Sequence, residues 1–493
     1  MRRYVRSSVC MRRLVAGLAI GILVLTGFDA ALVVAPSAHA ADLRGEAGPS
    51  TFPGAVRSGP AKMYLPLVAR QPAQTTSVFG AQFYDDLNSS SAALDLAQRA
   101  GLSWVRWPFA WAHYEPYRTV PARYNWGGLD LSLAAAKVAG LNVIATMASN
   151  PSWAASYPSG RLDRSGPGPL AEFMAAVVER YDGDGKDDAP GSPVVNYWEM
   201  YNEPDAGDPI RARYGTAYWG PFGADYAQML CTVYPAVKAA NPNAKILLGG
   251  LAYDWFQEDG GPFVRAFLDD VLAAGGGRCL DGVAFHYYPP FEPVWTPYGP
   301  GLSGKANYLR SKLDAYGLSN IPLMVTEAGY HSNYDPNWPS TPEIQAGYII
   351  KLFTQAIASR ISAMIWFSWI DLPDYWAASG ILDVNRQPKL AYDALGAARR
   401  KLGALPFAGR LSNDETGSAE VEAYRFEGSY APLYVLWANG SVTRQVRLPG
   451  KIVRVSGLID ETLAEVLDAD DGVVDGRVTV TAGFDPVYVD VIE

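Results

Sequence analysis

The sequence predicts a (β/α)8, or TIM, barrel followed by a small C-terminal β-sandwich, and three observations carry that expectation. From Val78 onward, short apolar runs alternate with amphipathic stretches eight times over about 320 residues. Beyond Ala398 the helical period disappears, and apolar and polar residues alternate between turn signals such as Asn439-Gly440 and Asp471-Gly472. Two of the apolar runs end in a glutamate, at the strand ends where such a barrel carries its chemistry.

The eight expected barrel strands are Val78 to Tyr84, Ser103 to Trp107, Asn142 to Met147, Val195 to Tyr201, Lys245 to Gly249, Gly282 to His286, Pro322 to Thr326 and Ala363 to Trp369. Between them, Ala92 to Ala100, Leu129 to Ala139, Ala171 to Tyr181, Ala224 to Ala239, Pro262 to Ala274 and Thr341 to Ser359 have helical spacing. The tail offers strands at Glu420 to Glu427, Leu433 to Ala438, Thr443 to Leu448, Lys451 to Ser456, Arg477 to Thr481 and Pro486 to Ile492. The expected domains are therefore a barrel over 77–400 and a sandwich over 401–493. Tyr424, Tyr430, Tyr434 and Trp437 read either as sugar-stacking platforms or as the aromatic core of the sandwich, and the second reading is preferred.

The start reads as a secretory signal over 1–40. Arg2, Arg3, Arg6, Arg12 and Arg13 precede the apolar run Leu14 to Thr26, and Ala38-His39-Ala40 offers a cleavage site. Export is the expectation; an uncleaved anchor is the alternative, though the run is shorter than the ~20 residues of a spanning helix. Residues 41–76, rich in Ala, Gly, Pro, Ser and Thr, read as a linker. Losing 1–40 removes five arginines and one aspartate, taking the net charge from −9 to −13. That balance argues against nucleic acid and anionic membranes as partners; the sequence sets no oligomeric state. Cys231 and Cys279 then remain, as one disulfide or as two buried thiols.

The most informative stretch is Tyr197-Trp198-Glu199-Met200-Tyr201-Asn202-Glu203-Pro204-Asp205. Asn202 can donate to a hydroxyl, Glu203 can hold or release a proton, and Pro204 ends the strand. The run Ile321 to Thr326 ends at Glu327, 124 residues after Glu203, which leaves room for three βα units. An Asn-Glu-Pro after the fourth strand and a Thr-Glu after the seventh resemble the clan A glycoside hydrolases, with families 5 and 39 nearest. Thr326-Glu327-Ala328-Gly329 departs from the Thr-Glu-Trp usual in family 39.

That resemblance implies Glu203 as general acid/base and Glu327 as nucleophile. Arg106 ends the second strand, where the clan keeps an arginine, and is expected to partner Glu327; an ion pair under the barrel rim is the alternative. His286-Tyr287-Tyr288 resembles the clan's His-x-Tyr, implying that Tyr288 donates to the nucleophile and His286 lines the sugar site. Trp369, with Trp366 as alternative, is the expected stacking aromatic of the eighth strand, and Trp153 a wall of the cleft. The loop aromatics Tyr214, Tyr218, Trp219, Tyr287, Trp295, Tyr298, Tyr330, Tyr334 and Trp338 suggest several sugar subsites.

The resemblance, taken with the N-terminal signal, thus implies a secreted, retaining O-glycosidase acting on a carbohydrate, most often through β-linkages, with transglycosylation or non-catalytic glycan binding as rivals. No cofactor and no catalytic metal are expected, since no His-x-His or His-Glu-x-x-His spacing exists. Asp182-Gly183-Asp184-Gly185-Lys186-Asp187-Asp188 resembles a calcium loop in composition but carries Lys186 at a ligand position. A polar turn is the preferred reading.

Overall fold

The computed structural model describes residues 77–84, 87, 92–208, 216–372, 378–428 and 430–493. The expected signal segment, the linker and Tyr214 lie outside them. Eight parallel strands close into a barrel in the order β1 to β8. They are Phe79–Gln82, Trp104–Ala110, Asn142–Ala148, Tyr197–Asn202, Lys245–Leu251, Gly282–Tyr287, Leu323–Ala328 and Met364–Trp366. A helix follows each: α1 Ala92–Ala100, α2 Gly127–Val138, α3 Gly168–Arg180, α4 Gly223–Ala240, α5 Phe267–Ala273, α6 Gly301–Ala315, α7 Pro342–Ala358 and α8 Leu390–Leu402. Short helical turns in the loops are not numbered. Among the described residues no helix is long and apolar enough to cross a membrane.

Strand alternation builds the barrel interior in layers. Trp104, Ile144, Leu247, Met324 and Ile365 form an apolar plug with Tyr197 against it. Two residues further along the strands the inward positions turn polar, with Arg106 after Trp104, Thr146 after Ile144 and Glu199 after Tyr197. The plug keeps water from below, so the polar layer above it is fully buried and must satisfy itself. The glutamates stand on that layer.

The tail adds eight strands: β9 Phe407–Arg410, β10 Val421–Phe426, β11 Leu433–Ala438, β12 Arg444–Pro449, β13 Ile452–Ser456, β14 Thr462–Leu467, β15 Arg477–Ala482 and β16 Val487–Val491. Six make a sheet ordered β14-β13-β16-β11-β10-β9, and β12 pairs with β15. All of β11 is buried, because its two faces meet different partners. Tyr434, Leu436 and Ala438 join Val446, Leu448, Val478 and Val480 inside the sandwich, whereas Leu433, Val435 and Trp437 join the core shared with the barrel. Tyr424 stacks on Trp437 at 5.2 Å in that shared core. Tyr424, Tyr434 and Trp437 are therefore packing residues, and Tyr430 alone of the four is exposed. The strands β9 and β14 have no counterpart in the sequence reading.

Cys231 on α4 and Cys279 just before β6 form a disulfide, with Cα atoms 5.0 Å apart. Asp182, Asp184 and Asp188 bring carboxylates within 4.8 Å of one another. Those carboxylates already accept from the backbone N–H groups of Gly183, Asp184, Gly185 and Lys186, and the Lys186 ammonium sits 3.1 Å from Asp184.

Candidate active site

Arg106 organises the site through all three of its guanidinium nitrogens. Nε donates to Glu199 Oε2 at 2.7 Å and to Thr146 Oγ1 at 3.1 Å, Nη1 to Gln82 Oε1 and Glu327 Oε2 at 3.2 Å each, and Nη2 to Asn202 Oδ1 at 2.6 Å. The planar fork thus fixes β1, β2, β3, β4 and β7 relative to one another. Burial works against the charge on Arg106, but Glu199 and Glu327 outweigh it and hold the guanidinium more firmly protonated than usual. The two alternatives left open by the sequence are both realised: Arg106 partners Glu327 and also sits in a buried ion pair. Glu199, the other member of that pair and wholly buried, was not foreseen.

Glu327 accepts from Arg106 on Oε2 and from the Tyr288 hydroxyl on Oε1, so both of its oxygens are engaged. Burial, then the carboxylate of Glu327, pushes the Tyr288 phenol far above its ordinary range, so Tyr288 stays a donor. Glu203 stands opposite, and one oxygen of each carboxylate lies within 4.8 Å of the other and of a His286 nitrogen. Both glutamate side chains are 13% exposed, open enough to meet a ligand.

His286 is fully buried, with Nδ1 3.0 Å from Glu203 Oε1 and 3.9 Å from Glu327 Oε2. Burial pulls its pKa down to about 4 against the opposing pull of Glu327, so the imidazole is neutral near neutrality. A neutral ring either donates to an ionised Glu203 or accepts from a protonated one. The expectation that His286 lines the sugar site is therefore corrected: with no exposed surface, it supports Glu203 from behind.

Local backbone geometry makes this arrangement fit. Tyr201 and Glu203 adopt positive φ of 69° and 48°, on either side of Asn202. Such conformations are costly for non-glycine residues and mark places where the surrounding structure over-determines the chain. The Tyr201 hydroxyl is tied to Asn150 Oδ1 at 2.8 Å and the Glu203 N–H to the Gly250 carbonyl at 3.0 Å. The kinked β4 needs Gly249, where a Cβ would lie 2.3 Å from the carbonyl oxygens of Met200 and Tyr201. Gly250 makes room for the His286 ring, 2.2 Å from where its Cβ would be.

The expected aromatics are placed differently. Trp366 and Trp369 are buried in the core, where their indoles donate to the carbonyls of Ser379 and Ala93 at 2.9 Å, and Trp369 stacks on Phe83. Neither offers a ring face for stacking, which corrects that expectation. Phe367, the next residue after β8, is partly exposed and stands edge-on to Tyr84 at 6.5 Å. Tyr84 lies close enough to Glu327 for its phenol to be raised by that charge, after the larger effect of burial. Trp153 packs into the loop after β2, edge-on to Trp111 at 5.2 Å, with its indole N–H on the Glu115 carbonyl and the Arg118 guanidinium over its ring. Trp219, Tyr287 and Trp295 are fully buried core residues, whereas Tyr298 and Tyr334 are exposed.

Behind Glu203 lie further buried charges that the sequence did not announce. Asp205 accepts from the backbone N–H groups of Ala252 and Tyr253, and Lys305 donates to the Ala252 carbonyl and to Asp254 at 2.6 Å. Burial raises Asp205 to about 7 and Asp254 to about 6. Glu203, His286 and Glu327 also have the spacing of a metal-binding trio. Yet Glu327 is held by two strong donors and His286 Nδ1 by Glu203, an arrangement suited to handling a proton.

No protein-family model and no curated protein matches the sequence. Solved structures do match. A family 39 glycoside hydrolase from the gut symbiont Bacteroides cellulosilyticus WH2 is 20% identical over 85% of this chain and 82% of its own, with a TM-score of 0.64. A family 39 β-xylosidase from Caulobacter crescentus is 16% identical over 84% and 95%, with a TM-score of 0.55. A family 30 endoxylanase from Clostridium papyrosolvens C71 is 14% identical over the same shares, with a TM-score of 0.53. The likeness is one of fold, and it agrees with the clan A resemblance carried by Asn202-Glu203-Pro204 and Thr326-Glu327.

Proposed function

We propose that the protein is a secreted retaining glycoside hydrolase in which Glu327 is the nucleophile and Glu203 the general acid/base. One observation carries the reading: the two carboxylates face each other with oxygens inside 4.8 Å. Double displacement uses a separation of about 5 to 5.5 Å, whereas inversion needs about 6.5 Å or more to admit a water.

In the first step a Glu327 oxygen attacks the anomeric carbon, the bond to the leaving oxygen breaks, and Glu203 gives that oxygen its proton. Arg106 and Tyr288 hold the Glu327 carboxylate in line for attack. In the second step Glu203, now a carboxylate, takes a proton from water, the hydroxide adds to the anomeric carbon, and Glu327 departs. Because Arg106 takes the Asn202 oxygen, the other end of the amide is the donor end, suited to a 2-hydroxyl as charge develops on the ring. The fold shared with a β-xylosidase and an endoxylanase puts β-xylosides first among substrates to try, followed by β-glucosides and β-mannosides.

Hydrolysis of aryl β-glycosides of these sugars tests the reading. Glu327→Ala should abolish turnover of all of them. Glu203→Ala should keep first-step activity on activated aryl leaving groups and, with azide, yield a glycosyl azide of retained configuration. Binding without turnover by the wild-type protein, or activity surviving in Glu327→Ala, would overturn it.

A further inference from the structure

On the wall of the site away from Glu203 stands a side chain to which the mechanism gives no part. β1 ends at Gln82, but its ladder runs on, since the Phe83 N–H donates to the Arg106 carbonyl at 3.0 Å. Strand alternation therefore continues past the strand end. Gln82 points inward, where its amide oxygen accepts from Arg106, and Phe83 points outward to stack on Trp369. Tyr84 then points inward again, above Gln82. The Trp107 indole pins the Tyr84 carbonyl at 2.9 Å, and Phe367 stands edge-on to the Tyr84 ring.

The phenol lies within the field of the catalytic carboxylate. Burial first, then the charge of Glu327, pushes it up while Arg106 pulls the other way, so it stays neutral. Tyr84 in turn adds to the rise at Tyr288. The hydroxyls of nearby tyrosines are committed: Tyr288 donates to Glu327, Tyr201 to Asn150 and Tyr226 to the Met200 carbonyl. The Tyr84 hydroxyl has no hydrogen-bond partner among the described residues, and it is not sealed in the core, since the residue is partly exposed. A donor and acceptor is thus held ready beside Glu327 by a rigid strand end.

On the reading of Glu203 and Glu327 given above, its partner comes with the substrate. β1 stands between β8 and β2 in the ring of strands, three strands from β4. The acid on β4 protonates the leaving oxygen, so the leaving group lies on that side, and the sugar that Glu327 attacks extends towards β1. Asn202, also on β4, is suited to the 2-hydroxyl, which leaves the hydroxyls beyond it, at C3 and C4, for Tyr84. A carboxylated sugar would bring a second negative charge beside Glu327, whereas a neutral hydroxyl both donates and accepts without that cost. We propose that the Tyr84 hydroxyl binds the 3- or 4-hydroxyl of a neutral sugar on the side of the bond that Glu327 attacks, and so helps to set which glycosides are cleaved.

The test pairs Tyr84→Phe, which deletes the hydroxyl and keeps the ring, with aryl glycosides of the best neutral sugar, their 3-deoxy and 4-deoxy analogues, and an aryl β-glucuronide. On the parent glycoside kcat/KM should fall by about 3- to 10-fold, as for one lost hydrogen bond between neutral partners. On one of the two deoxy analogues the loss should disappear, because the substrate no longer carries the partner; a role in folding alone would lower all of them equally. An equal loss on the parent and both analogues, no loss on the parent, or faster hydrolysis of the glucuronide than of the neutral glycosides by the wild type would overturn the proposal and leave the catalytic pair standing. Hydrolysis of no aryl glycoside by the wild type would overturn both.

Discussion

Replacing Arg106 by methionine removes the hub of the site, and the structure says where the cost falls. Glu199 is wholly buried and would keep only the Thr146 hydroxyl, at 2.6 Å, as a strong donor. An uncompensated buried charge of this kind costs about 3 to 5 kcal/mol. Glu327 is different: it retains Tyr288 and is partly exposed, so it adds little to that penalty. Most of the destabilisation should therefore vanish when Glu199 is neutralised in the same chain. Stability measured by urea titration of wild type, Arg106→Met, Glu199→Gln and the double variant should show the double variant less destabilised than the sum of the singles by about 2 kcal/mol or more. The double variant should fold yet remain nearly inactive, because Glu327 and Asn202 have lost their common anchor. Additivity within about 0.5 kcal/mol would refute the claim that Arg106 and Glu199 form one buried unit.

Three further outcomes follow from other contacts. Gly250→Ala would place a methyl 2.2 Å from His286 Nε2 and 2.8 Å from Thr326 Oγ1, displacing the ring that supports Glu203; kcat should fall by about 100-fold with the fold retained by circular dichroism. Asp205, held at about 7 by burial, contributes stability that is fully present below its unfolded value near 3.8 and lost as pH rises through about 7. Melting curves of Asp205→Asn should thus lack a pH-dependent loss that reaches up to about 4 kcal/mol in the wild type, and parallel curves from acid to neutral pH would contradict this. The Cys231–Cys279 bridge spans 48 residues, so its removal by double alanine substitution should cost about 4 kcal/mol on the chain-entropy account; thiol titration of the denatured wild type should find neither cysteine free.

Much of this was legible because barrel strands announce themselves. Each is a short apolar run between polar turns, and all eight were placed within a few residues of their ends in the structure. Asn202, Glu203 and Glu327 stood out as polar groups at the ends of apolar runs, whereas Arg106, His286 and Tyr288 were reached through the resemblance to clan A. Glu199 was hidden by the same logic, lying inside the run Tyr197–Asn202 with its charge matched two strands away by Arg106, a pairing set by the register of β2, β3 and β4. Trp366 and Trp369 were misassigned because a strand end looks alike whether its ring turns to the cleft or to the helices. The backbone turned them inward and left Phe367 at the rim. Lys305, Asp254 and Lys351 sit on helices and loops whose inward face is set by tertiary packing, so no local pattern distinguishes them from solvent-facing charges. The strand β9 escaped because it is short, and β14, at a sheet edge, because Thr462-Leu463-Ala464-Glu465-Val466-Leu467 lacks the strict apolar-polar alternation of a half-buried strand.

The central claim is that Glu327 forms a covalent bond to the sugar. Incubation with an activated dinitrophenyl 2-deoxy-2-fluoroglycoside of the sugar that the aryl glycoside panel selects should trap it, because fluorine at C2 removes the hydroxyl that Asn202 would engage and slows both steps, while the good leaving group spares the first. Mass spectrometry of the intact protein should show the addition of one fluorosugar, mapped by peptide fragmentation to Glu327 and absent in Glu327→Gln. Turnover of the parent glycoside with no adduct, or an adduct on any residue other than Glu327, would contradict the account.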